Sequence, residues 1–215
     1  SGGGESIPGG GVYVNGDKAS FVMSGGQISG CSALSGGGLQ IVAGSATIDG
    51  GSIISNTAIG VGGGIAVNLT NSSSLKIAET NAAVPTLIAG NNAESGGGIG
   101  ITGGSKGSVV LSGGTISGNT ATSGGGIYSG KDSSGQQALS LGAVKIAGNT
   151  AVKGGGVYAN NSVLTVSGAK ITGNSATVNG GGIYLDDNNL YGSSAGILDN
   201  GAISGNTAVA GAGVY

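Results

Sequence analysis

The sequence predicts an all-β fold, a right-handed single-stranded parallel β-helix with three strands per coil and about seven coils. Three observations predict this solenoid. A block of three or near-three glycines followed by an aliphatic residue recurs at intervals of 26 to 34 residues. Each interval holds three short apolar segments that alternate as half-buried strands do. The corner before each glycine block has a nearly constant length. The third glycines of the blocks are Gly11, Gly38, Gly64, Gly98, Gly126, Gly156, Gly182 and Gly213.

The first predicted strand of each coil directly follows the glycines. In these three-residue segments, aliphatic or small residues flank a middle position, so the flanking side chains should point inward and the middle one to solvent. An α-solenoid is excluded because Gly costs about 1 kcal/mol per helical position relative to Ala. The segments begin at Val12, Leu39, Ile65, Ile99, Ile127, Val157, Ile183 and Val214.

The second and third predicted strands are joined by a tight corner. An apolar residue ends the second strand, and the isoleucine of the third strand follows it five residues later in six of seven units. The third unit carries about six extra residues around Glu79 to Pro85, which we expect to form a surface loop. The third-strand isoleucines are Ile28, Ile53, Ile88, Ile116, Ile146, Ile171 and Ile203.

An asparagine follows the third strand at a fixed position in six units. Stacked asparagines can donate each side-chain amide to the equivalent carbonyl of the next coil, so we interpret them as a structural ladder. The glycines that follow should need positive φ and no Cβ, because the corner brings neighbouring backbones together. The predicted ladder consists of Asn56, Asn91, Asn119, Asn149, Asn174 and Asn206.

Composition restricts the possible functions. The repeat spans residues 1–215, which favours one repeat domain, and the net charge of −2 with no basic stripe argues against nucleic acid as a partner. No run of 18 apolar residues and no signal peptide is present, so we expect no direct membrane insertion by this segment. Because the chain starts at Ser1 and stops inside a repeat at Tyr215, we expect it to be part of a longer protein.

The combination of Gly-Gly-Gly-[Ile/Val] with Ile-x-x-Asn resembles the GGA[I/L/V] and FxxN repeats of the chlamydial polymorphic outer-membrane proteins and related autotransporter passenger regions. The resemblance covers the chain from Gly9 to Tyr215, with Gly in place of Ala and Ile in place of the aromatic residue. It implies a bacterial adhesin or stalk that is secreted or displayed at the cell surface or outer membrane. The implied partner is a host or neighbouring-cell surface protein or glycan, and the module would be monomeric or associate end to end.

Catalysis is not expected from this chain. The nine acidic residues do not recur at one coil position, and His and Arg are absent, so general acid and base chemistry would rest on scattered carboxylates. We predict no catalytic residue and no cofactor. Asp186 and Asp187 are weak candidates for a Ca²⁺ site, with a solvated loop as the favoured interpretation. A carbohydrate-binding or polysaccharide-processing β-helix remains the alternative.

An aromatic row is the candidate interaction surface. Tyr128, Tyr158, Tyr184 and Tyr215 occupy the middle of the first strand in consecutive coils and should stack on the outside. Such a row either stabilises neighbouring strands or offers a flat strip to a glycan or a partner protein. Ice binding is a lower alternative. Thr57, Thr120, Thr150 and Thr207 align beside the asparagines, but Asn92 and Ser175 interrupt them and no second regular threonine column accompanies them.

Overall fold

The structure is a computed structural model that describes residues 9–69, 73–104, 107–130, 137–186 and 195–215. These residues form a parallel β-solenoid, in which each strand pairs in parallel with its equivalents in the coils before and after it. Three sheets have seven strands and a fourth has six. The predicted solenoid is therefore confirmed.

The strands of the four sheets are as follows. The first sheet contains β1 (Val12–Val14), β5 (Leu39–Ile41), β9 (Ile65–Asn68), β13 (Ile99–Thr102), β17 (Ile127–Gly130), β21 (Val157–Asn160) and β25 (Ile183–Asp186). The second contains β2 (Ser20–Met23), β6 (Ser45–Ile48), β10 (Ser74–Ile77), β14 (Ser108–Leu111), β18 (Gln137–Leu141), β22 (Ser162–Ser167) and β26 (Ala195–Asp199). The third contains β3 (Gln27–Ser29), β7 (Gly51–Ile54), β11 (Thr86–Ala89), β15 (Thr115–Ser117), β19 (Lys145–Ala147), β23 (Lys170–Thr172) and β27 (Ala202–Ser204). The fourth contains β4 (Ser32–Ala33), β8 (Thr57–Ala58), β12 (Asn92–Ser95), β16 (Thr120–Ser123), β20 (Thr150–Lys153) and β24 (Ser175–Asn179).

The fourth sheet corrects the prediction of three strands per coil. In the fourth coil, Gly118 has a φ of 61° and turns the chain immediately before Asn119. The residues after Asn119 are then free to run straight as β16, with Ala121 buried and Thr120 and Thr122 exposed. A left-handed glycine thus divides one predicted corner into two, and a short fourth face is present in six coils.

The core consists of inward columns of aliphatic side chains. The third-sheet isoleucines lie in register, for example Ile88 opposite Ile53 and Ile116. Ile53, Ile88 and Ile116 are fully buried, whereas Ile28 and Ile203 in the outermost coils are only partly buried. Each coil therefore covers the apolar face of its neighbours, as a stacked repeat requires.

The glycines of one block serve two different purposes. Gly124 has a φ of 66°, the left-handed conformation that a turn into β17 requires. Gly125 and Gly126 instead allow close approach. A Cβ on Gly125 would lie 2.5 Å from the carbonyl oxygen of Thr150, and one on Gly126 would lie 3.1 Å from Nδ2 of Asn149. The predicted positive φ is thus confirmed for the first glycine of this block, while the second and third are needed for their missing side chains.

The insertion at Glu79–Pro85 forms the predicted surface loop, and nearly all of its residues are exposed. The loop contacts the coils on both sides. The backbone amide of Thr80 donates to Asp49 Oδ1 at 2.7 Å, its hydroxyl donates to Asp49 Oδ2, and these bonds lower the pKa of Asp49. The amide of Gly114 donates to Glu79 Oε2 at 3.0 Å. The extra residues therefore leave the core register intact.

Candidate functional site

The predicted asparagines form one continuous column, which we call the asparagine ladder (Asn56, Asn91, Asn119, Asn149, Asn174 and Asn206). At every step the side-chain amide donates to Oδ1 of the next ladder asparagine at 2.9 to 3.1 Å. Its second proton goes to the carbonyl of the isoleucine one coil back at 3.0 to 3.1 Å. From Asn91 onward, each Oδ1 also accepts the backbone N–H of the preceding ladder asparagine at 2.8 to 3.0 Å.

The ladder leaves its inner members no capacity for a ligand. A primary amide has two protons to donate and two lone pairs on its oxygen, and all four are used within the protein. The first five ladder side chains are buried, so these bonds lie away from water. The sheets fix which residues are opposite one another, and the ladder locks one corner of each coil to the next. We interpret its chemistry as structural.

Cys31 stands at the ladder position in the first coil, where its half-buried thiol is free. Its backbone N–H already donates to Asn56 Oδ1 at 3.0 Å, as in the other coils, but no side-chain amide is present. We expect Cys31→Asn to raise the free energy of unfolding by about 1 kcal/mol, the usual net value of one hydrogen bond. Urea titration would measure this, with Cys31→Ser as the control that adds no amide. Equal stability of the two variants would contradict the ladder geometry.

The predicted aromatic row is a stack of four rings, which we call the tyrosine column (Tyr128, Tyr158, Tyr184 and Tyr215). Successive ring centroids are 5.4, 5.0 and 5.2 Å apart, with interplanar angles of 18°, 16° and 4°. The register of β17, β21 and β25 places Tyr128, Tyr158 and Tyr184 directly opposite one another, and the bridge between Ile183 and Val214 brings Tyr215 next to Tyr184. The predicted stacking is therefore present.

The prediction that these rings point to solvent is wrong for the inner members of the column. Tyr158 and Tyr184 are only 7% and 9% exposed, although they lie on the outer face of the first sheet. Each ring is covered on both faces by its neighbours, and the glycine turn before the strand lies against its base. A Cβ on Gly154 would be 2.8 Å from the Tyr158 Cβ. The inner ring faces are consequently not an open strip for a sugar.

Asp186, the first of the two weak Ca²⁺ candidates, lies beside the column. The Tyr158 hydroxyl donates a hydrogen bond to Asp186 Oδ2. Burial, followed by this hydrogen bond, raises the pKa of Tyr158 well above the ordinary tyrosine range, and burial also raises the pKa of Tyr128. Lys153 Nζ lies 5.3 Å from the centroid of the Tyr184 ring, within cation–π range. Asp187, the second weak Ca²⁺ candidate, lies outside the described residues.

The raised tyrosine pKa values predict a loss of stability in alkali. Above about pH 10, the ordinary tyrosine pKa, the unfolded chain releases protons that Tyr158 and Tyr128 retain in the folded state, so the free energy of unfolding falls as pH rises. We expect Tyr158→Phe to make this fall less steep, because the variant has one fewer such proton. Urea titrations at several values between about pH 9 and 12 would measure both slopes. Equal slopes for the two proteins would contradict the assignment.

A polar corner between the first and second sheets was missed by sequence analysis. Ser129 Oγ donates to Gln137 Oε1 at 2.9 Å and lies 2.9 Å from Ser162 Oγ, while Gln137 Nε2 donates to the carbonyl of Gly103 at 2.7 Å. Asn161 is buried beside them, and neither polar atom of its side chain has a hydrogen-bond partner among the described residues. The available signal was the polar residues at inward strand positions, but they do not repeat from coil to coil.

The outer face of the fourth sheet, continued by residues just beyond its strands, presents two columns that are exposed except at the half-buried Ser175. We call it the hydroxyl face. The first column holds the predicted threonines. The second lies two residues further along the chain in each coil, is rich in β-branched residues, and was not recognised from the sequence. The first column is Ser32, Thr57, Asn92, Thr120, Thr150, Ser175 and Thr207, and the second is Leu34, Ile59, Glu94, Thr122, Val152, Thr177 and Val209. No hydrogen bond joins the Thr57, Thr120 or Thr150 hydroxyl to another group in the described part of the chain.

Other kinds of site were sought in the same residues. Within the described ranges, no group of three or more His, Cys, Asp or Glu side chains could hold a metal ion. No helix there has the length and apolarity needed to cross a bilayer. Comparisons of the chain with protein-family models, with curated proteins and with solved structures give no match.

Proposed function

We propose that the chain is a non-catalytic structural module of an exported bacterial surface protein, a stiff stalk that also carries an adhesive face. The observation that supports the stalk most strongly is the unbroken asparagine ladder. The ladder fixes one corner of each coil to the next. Backbone pairing in the parallel sheets and the packing of the aliphatic core hold the rest of each coil to its neighbours. Coils are about 4.8 Å apart, so the length of the stalk is set by the number of repeats.

Stiffness follows from the cost of bending such a stack. Opening one side would break backbone hydrogen bonds and the hydrogen bonds between two ladder asparagines. Because the ladder groups are buried, water could not replace these bonds. A rod of this kind can hold a binding surface at a fixed distance from the cell. The resemblance to autotransporter passenger repeats supports the same role and a location at the bacterial surface, in the outer membrane or in secreted material.

The hydroxyl face is the adhesive surface we favour. Ile59 is 75% exposed and is among the most exposed large apolar side chains of the described residues, and Val152, in another inner coil of the same second column, is 39% exposed. Exposed apolar side chains that are grouped on one face are typical of contact surfaces. In the tyrosine column, in contrast, the faces of the inner rings are covered by the neighbouring rings. The partner would be a protein or glycan of a host or neighbouring cell.

Adhesion of beads coated with the chain to epithelial and bacterial cells, together with a glycan array, would test this proposal. We expect the double variant Ile59→Lys and Thr150→Lys to abolish retention, because it places two charges on the hydroxyl face. The matched control is Val22→Lys, at an exposed outward position of the second sheet. Equal retention of both variants would reject the hydroxyl face, and no retention of the unaltered chain on any surface would reject adhesion.

Ice binding is a second candidate function, favoured by the second column of the hydroxyl face. Thr120 and Thr122 form a pair of outward hydroxyls on β16, and Ser175 and Thr177 form another on β24. On β20 the position equivalent to Thr122 is Val152, which has the methyl groups of a β-branched side chain but no hydroxyl. Thermal hysteresis of the purified chain would test it. A freezing-point gap that Thr150→Lys removes would support ice binding, and no gap in the unaltered chain would reject it.

A further inference from the structure

The tyrosine column combines two features that matter for oxidation chemistry. Its four phenol rings are stacked nearly parallel, with centroids no more than 5.4 Å apart. One of them, Tyr158, donates its phenolic proton in a hydrogen bond to the carboxylate of Asp186. Stacked rings allow a radical to move from one ring to the next, and the carboxylate is a proton acceptor.

One-electron oxidation of a phenol is costly unless its proton leaves at the same time. Tyr158, like any tyrosine, is protonated at neutral pH, and burial together with its hydrogen bond raises its pKa further. Its proton must therefore move during oxidation, and Asp186 Oδ2 already accepts it. The transfer follows an existing hydrogen bond to a charged acceptor, the stronger class of such bonds.

Access and protection are divided between different rings. Tyr128, at the first end of the column, is only half-buried, so an oxidant in solution can reach the column at this ring. Tyr158 is 7% exposed and lies between Tyr128 and Tyr184, so a radical there is shielded from coupling with a second molecule. The column can thus accept oxidation at its edge and hold the radical inside.

We propose that the tyrosine column is a one-electron redox site, at which Tyr158 carries the radical and Asp186 holds the phenolic proton. The oxidant is a one-electron acceptor of the class of ferryl haems formed from peroxide, or a photogenerated metal complex. In the step, one electron passes from Tyr158, directly or through its stacked neighbours, to the oxidant, and the oxidant is thereby reduced by one electron. The O–H bond of Tyr158 breaks, its proton binds Asp186 Oδ2, and a neutral phenoxyl radical remains. Return of one electron and of the same proton restores the starting state.

Tyr13 provides a matched internal control. It has the same position in the first strand and is 43% exposed, but the following coils carry Gln40, Ala66 and Gly100 at that position. It therefore has no ring stacked on it from the next coil. A chain in which Tyr13 is the oxidisable tyrosine thus separates the properties of the column from those of a surface tyrosine.

Flash photolysis with a ruthenium tris-bipyridyl complex and a sacrificial electron acceptor would test the proposal, with tyrosyl absorption and freeze-quench electron paramagnetic resonance as readouts. All chains would carry Tyr191→Phe, which removes the one tyrosine of the sequence that is neither Tyr13 nor a member of the column. The column-only chain adds Tyr13→Phe, and the control chain instead replaces the four column tyrosines by Phe. We expect the radical of the column-only chain to live about tenfold longer or more, and Asp186→Asn to reduce its rate of formation by a similar factor, as loss of one charge-assisted bond allows.

Asparagine at position 186 keeps an oxygen that can accept the hydrogen bond but is a far weaker base, so the comparison isolates the proton transfer. Tyr158→Phe is the second variant. It preserves the ring stack while removing the phenol, and we expect it to change the resonance spectrum and shorten the radical lifetime. Equal lifetimes in the column-only and control chains would overturn the proposal. So would an unchanged rate in Asp186→Asn or an unchanged spectrum in Tyr158→Phe, with circular dichroism melts confirming that each variant is folded.

Discussion

Asn149→Ala is expected to lower the free energy of unfolding by about 4 kcal/mol, because it removes four buried hydrogen bonds worth about 1 kcal/mol each. Oδ1 of Asn149 accepts the backbone and side-chain amides of Asn119, at 3.0 and 2.9 Å. Its Nδ2 donates to the carbonyl of Ile116 and to Asn174 Oδ1, at 3.0 and 2.9 Å. Truncation leaves the backbone N–H of Asn119 without this acceptor in a region that water does not reach.

Urea unfolding followed by circular dichroism would measure this loss. The matched control is Thr150→Ala, one residue along the chain, where the side chain is exposed and we expect a change within about 0.5 kcal/mol. A loss of about 1 kcal/mol or less for Asn149→Ala would show that the ladder adds little to the backbone pairing and the core.

Gly125→Ala is the second substitution with a large expected effect. The new Cβ would lie 2.5 Å from the carbonyl oxygen of Thr150 and 2.6 Å from that of Gly155, both in the next coil. These are backbone atoms that cannot move without separating two coils. We expect the free energy of unfolding to fall by at least about 4 kcal/mol, a loss that only the most damaging substitutions cause, or the chain to fail to fold.

Gly118→Ala is the control for backbone conformation. Gly118 has a φ of 61°, but a Cβ there would meet nothing within 4 Å. Its cost should be limited to the left-handed strain of about 1 to 2 kcal/mol. Denaturant titration of the two variants separates close approach from conformational strain. A smaller loss for Gly125→Ala than for Gly118→Ala would contradict the packing of the coils described above.

Much of the fold could be predicted because the contacts of the third-sheet isoleucines and of the asparagine ladder are made by the same residue type in nearly every coil. The spacing from Leu111 to Ile116, repeated along the chain, identifies a fixed corner, and the recurrence of asparagine after the third strand identifies the ladder. Sequence could not reveal the fourth sheet in the same way. Its strands are as short as Thr57–Ala58, and whether they bend or run straight depends on left-handed residues such as Gly118.

The candidate sites were less predictable, because their properties arise between coils. Alternation correctly placed Tyr158 on the outer face of its strand, but its burial depends on rings contributed by two other coils and on the turn at Gly154. The contact between Tyr158 and Asp186 joins residues 28 positions apart and occurs once. Asn161 also has no repeated counterpart that would have marked its corner as polar.

The most direct test of the account is hydrogen exchange of asparagine side-chain amides, measured by nuclear magnetic resonance. Asn91 and Asn92 are neighbours in the sequence, but Asn91 is a buried ladder member and Asn92 is exposed on the hydroxyl face. We predict that the side-chain protons of Asn91, like those of Asn119 and Asn149, exchange as slowly as the buried strand amides, whereas those of Asn92 exchange at the rate of a solvated amide. Equally fast exchange at Asn91 and Asn92 would contradict the asparagine ladder, and with it the stiff stalk that we propose.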